Sequence, residues 1–431
     1  MMTSGKDYVK KGFEDMEKWG YSKNPYLHHP LEKKKEFDSL FVGREKEIRN
    51  FFKKFVSGTN AFCIEGSFGV GKSTFKNRCF SEIKVEENRD VFNFIITDTI
   101  SVVETESPGE FLIDILRVTL DSIKPYREYL KEENKKTLFE IENIVTKSDA
   151  KGNSYGSNIP IIHGQRESTS STSVQPINLL TQDFIINRLI KIGNIVREDL
   201  KARILITLNN LEKEKINDQG KITTLIEMLR DLIFSEFILV FIGDIQLKSR
   251  LTSSGRLRSV FGESIELSPL SLDEFQFAVD RRLKYSAIKG NYTSPVGDDV
   301  LEYMFSKCGG DIRWAFNFLH NIFEEIFLEN YPIRTYYLSD IEPICIKIAR
   351  NTFNGLDTSE QKVIRAFSTI KSASPSDRKL QRACGVTRST LQKILSCLSK
   401  RPELIVRGKR DRKQVYSLGY EMEILSDSEN L

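Results

Sequence analysis

The residues from Gly66 to Ser73 (Gly-Ser-Phe-Gly-Val-Gly-Lys-Ser) satisfy the spacing G-x-x-x-x-G-K-[ST] at every position, and Thr74 follows. The chemistry of that spacing is a grip on a phosphate chain. Glycines at 66, 69 and 71 allow the backbone to fold back so that its N–H groups point inward at an anion. A helix opening at Lys72 adds the positive end of its dipole. Lys72 is expected to reach the β- and γ-phosphates, and the Ser73 hydroxyl to ligate Mg²⁺. The apolar residues Phe62-Cys63-Ile64 read as the strand feeding the loop. Strand, glycine loop and helix together predict a nucleoside triphosphate site lined by Gly66, Ser67, Phe68, Gly69, Val70, Gly71, Lys72, Ser73 and Thr74.

Such a loop needs a sheet behind it. Apolar runs at Val91–Thr97, Ala202–Leu208 and Phe237–Ile242 read as buried strands, and helical patterns cover Pro108–Ser122, Asp183–Lys201 and Lys221–Ile233. Strands alternating with helices predict an α/β domain with a parallel sheet and helices on both faces. In such sheets ligands sit beyond the strand C-termini. That places Asn209, Asn210, Glu212 and Asp244 at the phosphate end. Ahead of this domain, an amphipathic helix up to Trp19 and an extended lead-in precede a helix ending near Val56, with Ile48, Phe51, Phe52 and Phe55 at core spacing. Within it, residues 125–180 form an insertion: a charged helical piece, then Gly152–Ser173, a polar loop or loose hairpin.

After residue 270 the pattern becomes purely helical: Leu272–Lys284, Asp298–Cys308, Gly310–Leu328 and Leu338–Asn351. Asp311 is placed to cap a helix, with Arg313 just inside it. From about 353 to 420 the pattern changes again. Helices at Thr358–Ile370, Ser376–Cys384 and Thr387–Arg401 precede two strands around a basic turn, the winged helix-turn-helix arrangement. The segment 421–431 is acidic and expected to fray. The boundaries expected are therefore 1–35, 36–270, 271–352, 353–420 and 421–431.

Composition agrees with an ordinary soluble, cytoplasmic protein: 39% hydrophobic and 29% charged residues, no apolar run of membrane-spanning length and a polar start. Six scattered cysteines and four histidines lack metal-ligand spacing, so reduced structural cysteines are expected. The net charge of +4 hides an asymmetry. Arg350–Leu418 holds 16 Lys/Arg against 5 Asp/Glu, a net +11, which leaves −7 for the remainder.

The order Phe41-Val42-Gly43-Arg44-Glu45, phosphate loop, apolar strands, Gly310-Asp311-Ile312-Arg313 in a helical lid and a winged helix resembles the AAA+ ATPases of the origin-recognition and replication-initiator type. It is similar as well to STAND-type P-loop ATPases. The resemblance spans about residues 36–420. It implies an AAA+-like P-loop NTPase fold with a helical lid and a C-terminal winged helix, binding ATP with Mg²⁺. It further implies that Val42, Gly43 and Arg44 lie on the adenine side and that Ile204–Glu212 is the Walker B strand. Asp244 would match sensor 1, Arg313 sensor 2, and Arg256 or Arg258 a finger reaching a neighbour's nucleotide. The catalytic set would then be Lys72, Glu212, Asp244 and Arg313. One departure matters: the pattern calls for acids where this chain has Asn209 and Asn210. An amide supplies neither a full charge for Mg²⁺ nor a base for water. Triphosphate binding with slow or absent hydrolysis is the expectation.

In the winged-helix reading, Thr387, Arg388, Ser389, Gln392 and Lys393 face a DNA groove, and Arg407, Lys409, Arg410, Arg412 and Lys413 sit on the wing. The leading function is an ATP-controlled DNA-binding protein, with double-stranded DNA as partner. The alternative is a STAND-like switch whose nucleotide state gates oligomerisation and whose winged helix binds protein. A small-molecule kinase is disfavoured, since no acceptor site is visible.

Overall fold

The structure, a computed structural model, describes residues 5–26, 29–83, 94–102, 107–152, 182–211, 219–253, 255–410 and 413–428. It divides into two compact units, Arg44–Gly66 with Phe75–Leu267, and Met1–Gly43 with Ser67–Thr74 and Ser268–Leu431.

The first of these is the sheet unit. Its strands are β1 (Ala61–Gly66), β2 (Phe94–Ser101), β3 (Arg203–Asn209), β4 (Phe237–Gly243) and β5 (Ile265–Leu267), in the order β2-β3-β4-β1-β5. Every pairing is parallel, with Ala61 opposite Leu239 and Glu65 opposite Gly243. Each residue of β1 and β4 is buried. A central parallel strand covered on both faces is largely apolar, which is how β4 reads throughout and β1 reads but for Glu65. Against the sheet pack helix Pro108–Ile123, through Phe111, Ile115 and Leu120, and helix Gln182–Leu200, through Leu189, Ile192 and Val196. Ser107 caps the first of these, accepting from Glu110 N, while Glu110 Oε2 accepts from Ser107 N at 2.9 Å. Helix Glu45–Val56 packs on the sheet through an aromatic cluster, Phe51 lying 4.8 Å from Phe55 and 5.7 Å from Phe62 between ring centroids.

Two expectations here change. The helix read over Lys221–Ile233 is two pieces, Gln219–Glu227 and Arg230–Ile233, interrupted at Met228 and Leu229. The strand read over Val91–Thr97 runs on to Ser101; it is described from Phe94, and residues 91–93 lie outside the described residues. The charged piece of the insertion is helix Glu132–Gly152, whereas the polar stretch 153–173 lies outside the described residues.

The second unit is helical, with a small sheet. Helices Leu272–Ser286, Asp298–Cys308, Ile312–Leu328 and Leu338–Asn354 surround a core of Phe275, Met304, Phe318, Phe323 and Ile341. Trp19, Tyr21 and Tyr26, which follow helix Gly5–Lys18, belong to the same core; Trp19 meets Phe323 edge-on at 5.5 Å. Beyond it, helices Thr358–Ile370, Arg378–Cys384 and Arg388–Leu398 carry an antiparallel sheet of β6 (Ser372–Ala373), β7 (Ile405–Arg410) and β8 (Lys413–Leu418), ordered β6-β8-β7. That is a winged helix around Phe367, Leu380, Leu391, Leu395 and Tyr416. The frayed tail is corrected. Tyr420–Ser428 is a helix, because Met422, Ile424 and Leu425 supply an apolar face that is fully buried despite the acidic neighbours.

Candidate phosphate site and basic winged helix

The loop Ser67–Thr74 falls in the helical unit, and its contacts there show why. Gly69 and Gly71 take positive φ, +71° and +97°, as a loop turning its N–H groups inward requires. Gly66 does not; it simply ends β1, so two glycines rather than three make the turn. Lys72 opens helix Lys72–Ile83, is 8% exposed, and its Nζ donates to the Ser67 carbonyl at 3.0 Å. The Thr74 hydroxyl accepts from Leu31 N at 3.4 Å.

The lid meets this loop through two residues. Asp311 caps helix Ile312–Leu328, its Oδ1 accepting from Trp314 N at 2.9 Å, as the sequence led one to expect. Its carboxylate also lies against the loop, since a Cβ built on Gly69 would stand 1.7 Å from Asp311 Oδ1. Burial pushes the Asp311 carboxyl up to about 6, opposed by the Trp314 N–H and the Arg313 charge. The Arg313 guanidinium lies 5.3 Å from the centroid of the Phe68 ring. On the segment expected to lie on the adenine side, Val42 packs against the lid core, Gly43 has φ +68° with Glu274 beside it, and Arg281 donates to the Phe41 carbonyl at 2.7 Å.

These residues fit a triphosphate. The loop offers backbone donors at a helix start, a lysine beside them and an arginine on the lid, and Ser73, half-buried, is the hydroxyl that would be offered to Mg²⁺.

The sheet unit carries the other predicted positions. Asn209 ends β3 opposite Ser101. Asn210 follows with φ +64°, a left-handed conformation that asparagine adopts more readily than most residues. Asp244, after β4, is ion-paired to Arg250, which also donates to the Leu211 carbonyl at 2.9 Å. Arg44 starts helix Glu45–Val56 with φ +74° and pairs with Glu47 at 3.5 Å. Arg256 and Arg258 are exposed on the short helix Gly255–Arg258. Glu212 lies outside the described residues. One carboxylate escaped the sequence reading. Glu65, 5% exposed at the end of β1, accepts from Lys248 N at 2.5 Å and so holds the turn after Asp244. A lone acid in an otherwise apolar strand was the available signal.

In the winged helix, Thr387 caps Arg388–Leu398, its hydroxyl accepting from Thr390 N at 3.4 Å and lying 3.0 Å from Ser389 Oγ. Arg388, Gln392 and Lys393 are exposed on the same helix. Arg407 is exposed on β7 and donates to Gln414 Oε1 at 2.7 Å, while Lys409 and Arg410 pair in register with Gln414 and Lys413 across the hairpin. Arg412 lies outside the described residues. Exposed Arg378, Lys379 and Arg382 on helix Arg378–Cys384 add three cations that the sequence reading passed over, although the run Ser376–Arg382 shows them. All six cysteines are free, and Cys397 is the exposed one. Among the described residues, no group of His, Cys, Asp and Glu could hold a metal ion, and no helix is long and apolar enough to cross a membrane.

No family model matches this chain, and no curated protein does. Solved structures are similar to it over nearly their full length. The Aeropyrum pernix ORC1 protein in complex with DNA is 15% identical, covering 91% of this chain and 94% of its own, with a TM-score of 0.48. The Aeropyrum pernix ORC2 protein (ADPNP–ADP complexes) is 11% identical over 94% and 97%, with a TM-score of 0.47. Cdc6p from Pyrobaculum aerophilum is 14% identical over 94% and 100%, with a TM-score of 0.43.

Proposed function

We propose that this chain is an ATP-binding regulator whose nucleotide state controls duplex DNA binding by the winged helix, with slow hydrolysis. The observation that carries it is the seating of Asp311 and Arg313 on the phosphate loop within the same compact unit as the winged helix. A ligand gripped by that loop acts directly on the lid. Slow turnover follows from the sheet edge, where amides stand at 209 and 210 and the Asp244 charge is balanced by Arg250. DNA binding rests on the net +11 of Arg350–Leu418 and on the exposed Arg378, Lys379, Arg382, Arg388, Lys393 and Arg407. The first helix of the pair and the wing suit phosphates, and Arg388–Leu398 suits the groove.

Fluorescence anisotropy on a labelled duplex, with Mg²⁺ and ATP, ADP or neither, tests this. Affinity is expected to change several-fold with nucleotide and to fall steeply with salt, and Lys72→Ala is expected to abolish the nucleotide effect while leaving basal binding. A flat salt titration would assign the winged helix to a protein partner instead.

A further inference from the structure

Helix Tyr420–Ser428 lies far from the phosphate loop in sequence, yet it grips Trp314, the chain neighbour of Arg313, which lies on that loop. Glu421 is 4% exposed, and its Oε1 accepts from the Trp314 indole N–H at 3.3 Å. The Tyr420 ring stands 5.0 Å from the Trp314 ring, and its Cε1 would be 3.4 Å from a Cβ on Gly309. Trp314 is also the residue whose N–H Asp311 caps. The first turn of helix Ile312–Leu328 is therefore held from two sides. Asp311 and Arg313 face the loop at Gly69 and Phe68, while Tyr420 and Glu421 hold Trp314. The grip is itself anchored. Ile424 sits in the lid core, Met422 and Leu425 in the winged-helix core, and Glu421 N donates to the Glu403 carbonyl at 3.1 Å.

Arg313 needs such support. A guanidinium stacked on an aromatic ring is oriented only weakly, since that contact fixes distance better than direction. Trp314 is its chain neighbour, so any rotation of the first turn that frees the indole also swings the guanidinium. We infer that Trp314, Tyr420 and Glu421 are positioning residues for the nucleotide, holding Arg313 where it reads the terminal phosphate of a triphosphate. This rests on the reading of the loop as a triphosphate site and adds the element that sets its discrimination between triphosphate and diphosphate.

Calorimetry on the full chain with Mg²⁺ tests it, using a non-hydrolysable ATP analogue and ADP. Trp314→Phe removes the indole N–H, Glu421→Ala the acceptor, and Glu421→Gln keeps an acceptor at the same reach. The first two are expected to weaken the triphosphate about tenfold and ADP less than about threefold, the size of losing one buried hydrogen bond. Glu421→Gln should stay within about twofold of the parent. Thermal melts report folding, and Trp314→Phe decides the matter if Glu421→Ala does not fold. Equal losses for both nucleotides, or no change in a variant that melts normally, would overturn the inference. A parent chain that binds neither nucleotide would instead overturn the reading of the loop on which it rests.

Discussion

Around Gly69 Lys72 donates to the Ser67 carbonyl, Asp311 caps the helix at Trp314, and Arg313 lies on Phe68. At the ends of β3 and β4 the corresponding positions hold two amides and an aspartate whose charge is already balanced by Arg250. On the proposed reading the first region holds a phosphate chain, while the second offers amides where a base for water would be needed. Binding and hydrolysis draw on different residues, so on the proposed reading one is kept while the other is weakened, and a chain that only binds behaves as a latch rather than a motor.

The contrast can be attacked from either side. Gly69→Ala should have the largest effect. It places a side chain at φ +71° and into the Asp311 carboxylate, so triphosphate affinity should fall about thirtyfold and stability by about 2–3 kcal/mol, read by calorimetry and urea unfolding. A normal affinity would mean that the lid does not rest on the loop. Asn209→Asp comes next. It restores an acid where the backbone is extended rather than left-handed, and should raise phosphate release under single-turnover conditions about tenfold. No gain there would place the hydrolytic acid elsewhere, Glu212 being the nearest candidate in sequence.

The smallest effect is one of pH. The Asp311 carboxyl sits near 6 in the folded chain against an ordinary value of 3.8, so the native state holds the extra proton between those limits. Its stabilising contribution is full below the lower value and is lost as pH rises through the upper one. From pH 5 to pH 7 the parent should lose about 1 kcal/mol relative to Asp311→Asn, measured as the difference in urea midpoints. A parallel pair of curves would show that Asp311 is wetter than its surroundings imply.

How much of this was legible beforehand varies with the range of the interaction. The loop, the β1 and β4 strands, the Asp311 and Thr387 caps and the lid helices rest on signals within a few residues, and they stand where the sequence placed them. The contact of Asp311 with Gly69 joins positions remote in sequence, and no local pattern could show it. Helix Tyr420–Ser428 departs from the expected frayed tail because acidic composition carries no spacing information, whereas Met422, Ile424 and Leu425 fall on one helical face. β6 is only two residues, Ser372–Ala373, too short to show an alternation, and is defined by its pairing to β8. The break at Met228 has no glycine or proline to announce it.

The lid core combines Trp19, Tyr21 and Tyr26 with Ile424, stretches separated by roughly 400 positions. A chain emerging from the ribosome can therefore complete its sheet, which needs nothing beyond Leu267, long before that core can close. During that interval the strand-and-helix scaffold exists without the arginine held over its loop. The contacts of Trp314 with helix Tyr420–Ser428 therefore form only after every residue of the sheet has been made, and on the proposed reading a chain cut before Tyr420 would yield a folded sheet with no working latch.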